Sequence, residues 1–322
     1  MSLEHDPRRI QPPDRNRALA DPASANESAT LEHLLGHLAS VEQQLDRATG
    51  QLHDLEQRDH VLQQGLAKLK QQMERARQLQ DDLLPRSLPE CDSLRISTLY
   101  VPANDLSGDI YDVVRLSDRQ LSINIADATG HDMAAALLSS FMKQSLRVCE
   151  AAADRTRRAG IEYPRELLSK LNDDLVATDL SECHFLTSIH AVFDEVDRNL
   201  LWARGGMPYP ILVRRGESAQ RIVSEGGLIG AFADQQFDSV STHLGPGDIM
   251  LLFTDGLEAL LLNAGPGRGA AKLLDTPWCQ ALTGETLETH LHEIEELLRN
   301  SSPDDWPADD VTILALEGLP AE

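Results

Sequence analysis

Apolar residues along this chain keep two different rhythms, separated by a proline-marked break. From Leu31 a seven-residue repeat puts Leu31, Leu38, Leu45, Leu52, Leu66 and Met73 at one position and Leu34, Val41, Ala48, Leu55, Leu62, Leu69, Ala76 and Leu83 at the complementary one. Spacing that alternates between three and four keeps one seam of a helix turned toward a partner helix, so the pattern predicts a coiled coil over 31–84. At about 1.5 Å per residue that rod would be roughly 80 Å long. Asp59 and Gln80 interrupt the first position, where they fix register or leave a place at which the rod can rearrange. The same pattern also suits a helix folded back on its own globular domain. Pro85 is the expected stop, because proline removes a backbone donor and clashes with the preceding turn. Ahead of the repeat, residues 1–30 carry Pro7, Pro12, Pro13 and Pro22 among small, charged and amide side chains with no aromatic residue, which predicts a disordered tail.

Beyond Pro89 strand-like stretches are expected at 94–101, 109–116, 120–127, 185–196, 199–205, 209–215, 248–254 and 310–317, several of them alternating apolar with polar residues. Helical stretches are expected at 131–148, 164–178 and 286–299. Two helices grouped between the third and fourth strands, instead of one after every strand, predict an α+β class with antiparallel sheets over 85–322.

Charge narrows the partners. Lys and Arg total 29 against 52 Asp and Glu, a net −23 that disfavours nucleic acid and anionic membranes and favours cations or basic surfaces. Cys91, Cys149, Cys183 and Cys279 are scattered without a C-x-x-C pair, so neither a zinc site nor a disulfide framework is expected. With no signal-peptide pattern and no apolar run near the roughly 18 residues needed to span a bilayer, a soluble cytoplasmic protein is the expectation.

The chemistry is expected from aspartates at strand ends beside small residues: Ser107-Gly108-Asp109, Asp127-Ala128-Thr129-Gly130-His131, Thr254-Asp255-Gly256 and Asp309-Asp310-Val311-Thr312. Unpaired carboxylates at the ends of buried strands are costly, and a cation removes that cost. Hard oxygen donors without a cysteine or histidine cluster point to Mg²⁺ or Mn²⁺. An Asp-Gly pair alone is more often a turn than a ligand; the combination carries the signal.

With these motifs in order, the stretch from Leu79 to Leu316 resembles the PPM superfamily of metal-dependent serine/threonine phosphatases, in its SpoIIE and RsbU branch. The resemblance rests on Leu79-Gln80-Asp81-Asp82-Leu83-Leu84-Pro85, Tyr100-Val101-Pro102-Ala103, Gly108-Asp109-Ile110-Tyr111-Asp112, Ala126-Asp127-Ala128-Thr129-Gly130-His131, Leu244-Gly245-Pro246-Gly247-Asp248 with Leu252-Phe253-Thr254-Asp255-Gly256, and the closing Asp309-Asp310-Val311-Thr312. It implies a β-sandwich of two antiparallel sheets flanked by helices, preceded here by the long N-terminal coiled-coil helix. It also implies two divalent cations, Mn²⁺ or Mg²⁺, about 3.5–4 Å apart. Asp127 would bridge both ions, Asp109 and the Ala128 carbonyl would serve one, Asp255 and Asp309 the other, and Asp310 would orient its neighbour. The substrate class would be a phosphoserine or phosphothreonine protein, in this branch a phosphorylated STAS-domain antagonist of an anti-sigma factor. The coil would dimerise the enzyme and take a signal from an upstream activator protein, with 79–88 as the switch.

Three departures from the family pattern are Ser107 where a glycine is usual, Asp132 where glycine is common, and no histidine near Gly205-Gly206-Met207-Pro208-Tyr209-Pro210. His131 is weighed as a general acid against a structural hydrogen bond, and His184 and His190 receive no role. Two other readings stay open. One is a coiled-coil scaffold whose phosphatase-like domain only binds its partner; the other is a nucleotide phosphatase or cyclase, disfavoured because no P-loop is present.

Overall fold

A computed structural model describes residues 22–130, 133–156, 163–178, 185–262, 273–282, 287–300 and 309–320. His131, Asp132 and His184, together with residues 1–21 of the expected tail, lie outside the described residues. The chain divides into two compact units, Met1–Lys70 and Gln71–Glu322.

In the first unit, the described residues are helical and belong to α1, Pro22–Asp81. The helix starts nine residues before the repeat begins at Leu31, so part of the segment expected to be tail is helical. Proline is at home in a helix's first turn, where its missing N–H would have had no partner. From Thr30 to Gln72 every residue of α1 is exposed, including the leucines of the seam. Asp59, which interrupts the seam, accepts a hydrogen bond from the Gln63 side chain at 2.8 Å. The helix ends at Asp81 rather than at Pro85; the Leu83 amide reaches back to the Gln80 carbonyl at 2.9 Å and that of Leu84 to Asp81 at 3.1 Å, winding the chain into a tighter turn before the proline is met.

The second unit contains two sheets of five strands each. The first runs, in spatial order, through β1 (Leu94–Val101), β10 (Val311–Gly318), β9 (Ile249–Phe253), β6 (Ile211–Val213) and β7 (Gln220–Arg221). The second runs through β2 (Asp109–Ser117), β3 (Gln120–Ala128), β4 (Leu186–Asp194), β5 (Asn199–Gly205) and β8 (Ser239–His243). All these strand pairs are antiparallel. Helices α2 (Met133–Thr156) and α3 (Tyr163–Ala177) follow β3, while α4 (Asp255–Leu262), α5 (Pro277–Ala281) and α6 (Leu287–Asn300) lie between β9 and β10 in sequence.

The period of two in each strand sends alternate side chains to opposite faces. On β10, Leu314 and Leu316 enter the core between the sheets, where Trp202, Phe193 and Leu121 also pack, whereas Ile313 and Ala315 pack on the other side with Phe253, Trp278 and Ile294. A third cluster joins Ile110 and Ala126 to Met142, Leu168 and Leu171 of α2 and α3. Because both faces of the central strands are covered, they read as continuous apolar runs such as Ile249-Met250-Leu251-Leu252-Phe253. The expected α+β sandwich with flanking helices is the observed architecture. Among the described residues no helix is long and apolar enough to cross a membrane.

Candidate metal centre

Antiparallel pairing brings the first two candidate carboxylates together. Asp109 opens β2 and Asp127 lies near the end of β3, directly opposite it in the register. The loop ahead of Asp109 must come close to the end of β3, and Gly108 permits this: a Cβ there would sit 2.6 Å from the carbonyl oxygens of both Ala128 and Gly130. The Ala128 amide donates to the Gly108 carbonyl at 3.1 Å, which holds the two segments side by side.

The other sheet supplies the remaining acids. Asp255 is the first residue of α4, just beyond β9, and Asp309 and Asp310 immediately precede β10. Gly256 lets these segments meet, since a Cβ at that position would lie 2.0 Å from the Asp310 carbonyl oxygen. Two hydroxyls then tie the sheets together: Thr254 donates to Asp109 Oδ2 at 2.8 Å and Thr312 donates to the same oxygen at 2.6 Å. Asp310 holds the loop before β2, accepting from the Ala103 amide at 2.7 Å and the Gly108 amide at 2.8 Å with its two carboxylate oxygens. Asp309 Oδ1 accepts from the Asp310 amide at 2.9 Å.

Electrostatics mark this end of the sandwich. Asp109 is only 1% exposed. Burial pushes its carboxyl well above the ordinary range, and the charges of Asp127 and Asp310 push it further, against the lowering effect of the two threonine hydroxyls. Asp127 is raised by burial and then by Asp255, Asp309 and Asp310. Asp255 is an exposed residue, yet desolvation by the surrounding protein and the charge of Asp310 still raise its carboxyl, while amides at the start of α4 pull it back. The charges acting most strongly on Asp109 and Asp127 are thus all carboxylates.

Crowded carboxylates of this kind suit a hard divalent cation, which would favour their ionised forms and remove their mutual repulsion. The donor chemistry fits such a group, although among the described residues no three acidic, histidine or cysteine side chains converge closely enough to hold an ion as they stand. Asp109, Asp127, Asp255, Asp309 and Asp310 are linked through these contacts and mutual charge effects, with the Ala128 backbone beside them.

Sequence reasoning missed Thr254 and Thr312, whose only signal was adjacency to the acidic motifs. It also missed the hydrogen bonds of Gln80, visible beforehand only as a polar residue on an apolar seam. Ser107 occupies its departure from the glycine pattern without a left-handed backbone, and its hydroxyl accepts from the Asp109 amide at 3.1 Å. His190 is fully buried on β4.

A family model described as Stage II sporulation protein E matches residues 117–318. The chain is similar to Protein IcfG of Synechocystis sp., with 27% identity over 206 residues covering 58% of this chain and 32% of that protein. It is similar to phosphoserine phosphatase RsbU of Bacillus subtilis, with 27% identity over 201 residues covering 62% of this chain and 57% of that protein. The matches thus span from about a third to somewhat over half the length of these relatives. In fold it resembles the SiaA PP2C domain of Pseudomonas aeruginosa, with a TM-score of 0.62 and 19% identity over 79% of this chain and 98% of that one.

Proposed function

The chain belongs to the Stage II sporulation protein E family, and from that premise we propose that it is a metal-dependent phosphatase acting on phosphoserine or phosphothreonine in a protein. The observation that carries this reading is the pairing of Asp109 with Asp127 at the end of β2 and β3, two burdened carboxylates whose strongest charged neighbours are other carboxylates.

Asp109, Asp127, Asp255 and Asp309, with the Ala128 carbonyl, would hold two divalent cations, Mn²⁺ or Mg²⁺. Such ions, when bound, acidify water and neutralise phosphate charge, which together permit direct hydrolysis of a phosphomonoester. The chain's own part is positioning. Thr254 and Thr312 fix one oxygen of Asp109 and leave the other for a cation, and Asp310 holds the Gly108 amide so that the Asp109 backbone stays beside β3. No side-chain nucleophile is required.

The substrate we infer is a phosphorylated STAS-domain protein in a partner-switching pathway, a reading supported by family membership and by similarity to a phosphoserine phosphatase. The exposed seam of α1 supports a homodimer through a coiled coil, with an upstream protein acting on it. The alternative is a coiled-coil scaffold that binds its partner without turnover.

The deciding assay uses p-nitrophenyl phosphate and a phosphoserine STAS protein, with Mn²⁺, Mg²⁺ or EDTA, beside Asp127→Ala and Asp255→Ala. Metal-dependent turnover that disappears in both variants is expected. Folded, dimeric wild type that is inactive with every metal would replace the phosphatase reading with the scaffold.

A further inference from the structure

We propose that Gln80 is a positioning residue for Asp109, holding the backbone ahead of that carboxylate where it can reach a divalent cation. The inference rests on the metal-centre reading above and adds to it a residue outside the sandwich motifs.

Gln80 occupies the first position of the heptad, where leucine or methionine stands in most other turns, yet it is only 6% exposed. A buried amide is costly unless both its donor and acceptor are satisfied. Here one residue satisfies both: Gln80 Nε2 donates to the Ser107 carbonyl at 2.6 Å, and Gln80 Oε1 accepts from the Ser107 amide at 3.0 Å. The side chain thereby takes the place that a neighbouring strand's backbone would take.

The consequence reaches Asp109 through the next two residues. Side-chain oxygens hold the three consecutive amides of Ser107, Gly108 and Asp109, those of Gln80, Asp310 and Ser107 respectively. The amides of this run therefore depend on side chains, beside the backbone bond from the Ala128 amide to the Gly108 carbonyl, for the placement that the full ladder gives to the strand beyond it. Gln80 is the member of that set contributed by α1. The turn after it is tied to β2 a second time, because Lys143 of α2 donates to the Leu83 carbonyl and lies 3.3 Å from the carboxylate of Asp112. Losing Gln80 would free the start of the run while leaving every metal carboxylate in the chain.

Gln80→Leu separates seam from site. Leucine keeps helix propensity and makes the heptad more apolar, but it can make neither bond to Ser107. Calorimetric titration of the whole 322-residue chain with Mn²⁺ alone, compared with wild type and the exposed control Gln78→Ala, reads the effect. Gln80→Leu is expected to weaken Mn²⁺ binding about tenfold, the scale of two lost buried hydrogen bonds. Gln78→Ala should bind like wild type. At saturating Mn²⁺, kcat of Gln80→Leu should return to within about twofold of wild type, whereas general damage to the site would leave it depressed.

Wild-type Mn²⁺ affinity in folded Gln80→Leu would overturn the positioning role while leaving the metal centre standing. Wild type that binds no more Mn²⁺ than Asp127→Ala would bring down the metal centre, and this inference with it. Should Gln80→Leu fail to fold, hydrogen exchange in the wild type decides: a protected Ser107 amide is expected, and exchange at the rate of an open loop would overturn the clamp.

Discussion

Leu45 on α1 is 65% exposed and Leu121 on β3 is wholly buried, although the side chains are chemically identical. Full burial of a leucine contributes about 1.5–3 kcal/mol. In the sandwich that contribution comes from the chain itself, with Leu121 packed among Ile123, Phe193 and Trp202. Along the seam of α1 the single chain does not supply it. The polar exceptions differ as well: Asp59 on the seam finds a partner on its own helix, whereas Asp109 in the sandwich draws its threonine partners from the other sheet. The sandwich encloses its buried polar groups with partners from both sheets, whereas the seam leucines of α1 stay exposed in the single chain.

The contrast is tested most severely in the sandwich core. Trp202 is fully buried between the sheets and its indole N–H donates to the Thr242 hydroxyl at 3.0 Å. Trp202→Ala should destabilise the domain by about 3–5 kcal/mol in urea unfolding, through the cavity and the orphaned hydroxyl. A cost below about 1 kcal/mol would mean that this core is not the source of the domain's stability.

A smaller effect comes from His190. It is buried against the edge of the Tyr163 ring, and neither ring nitrogen has a hydrogen-bond partner among the described residues. Desolvation lowers its pKa to about 3. The unfolded chain takes up this proton as the pH falls through about 6.5, while the folded protein does not until about 3, so stability is complete above that window and declines within it. Between pH 7 and pH 5 the loss assigned to His190 is about 2 kcal/mol. The raised carboxylates Asp109 and Asp127 act in the opposite sense, because the folded state binds their protons more tightly. Comparison with His190→Leu isolates the histidine, and equal pH slopes in the two proteins would show that His190 does not titrate in this way.

Legibility in the sequence followed the same division. Strands such as Leu94–Val101 and Asn199–Gly205 were readable because alternation or a bounded apolar run survives in a packed sheet, and the acidic motifs were readable because aspartate beside glycine at a strand end is chemically conspicuous. The edge strand Ser239–His243 was missed because a strand with polar side chains leaves little periodic signal. Helix α4 was missed because Asp255-Gly256 reads as a turn until β9 is seen to run straight into it. Gln80, Thr254 and Thr312 act across long sequence separations, and local pattern does not encode which strand end will lie opposite them.

The smallest effect on domain stability should come from the seam itself. Leu38 is 57% exposed and Leu45 65%, so truncation removes little side-chain packing within one chain and creates no cavity. Leu38→Ala with Leu45→Ala also replaces two leucines by the better helix former, which offsets part of any loss along α1. Unfolding of the sandwich, followed by tryptophan fluorescence, should therefore change by less than about 0.5 kcal/mol. Association should respond differently, because knobs at successive first positions of a heptad are lost from both chains of a dimer. Sedimentation is expected to show a clear shift toward monomer in the double variant at concentrations where wild type is dimeric. Unchanged association with unchanged folding would mean that these leucines face no partner helix, and a large loss of sandwich stability would mean that α1 is held by its own chain.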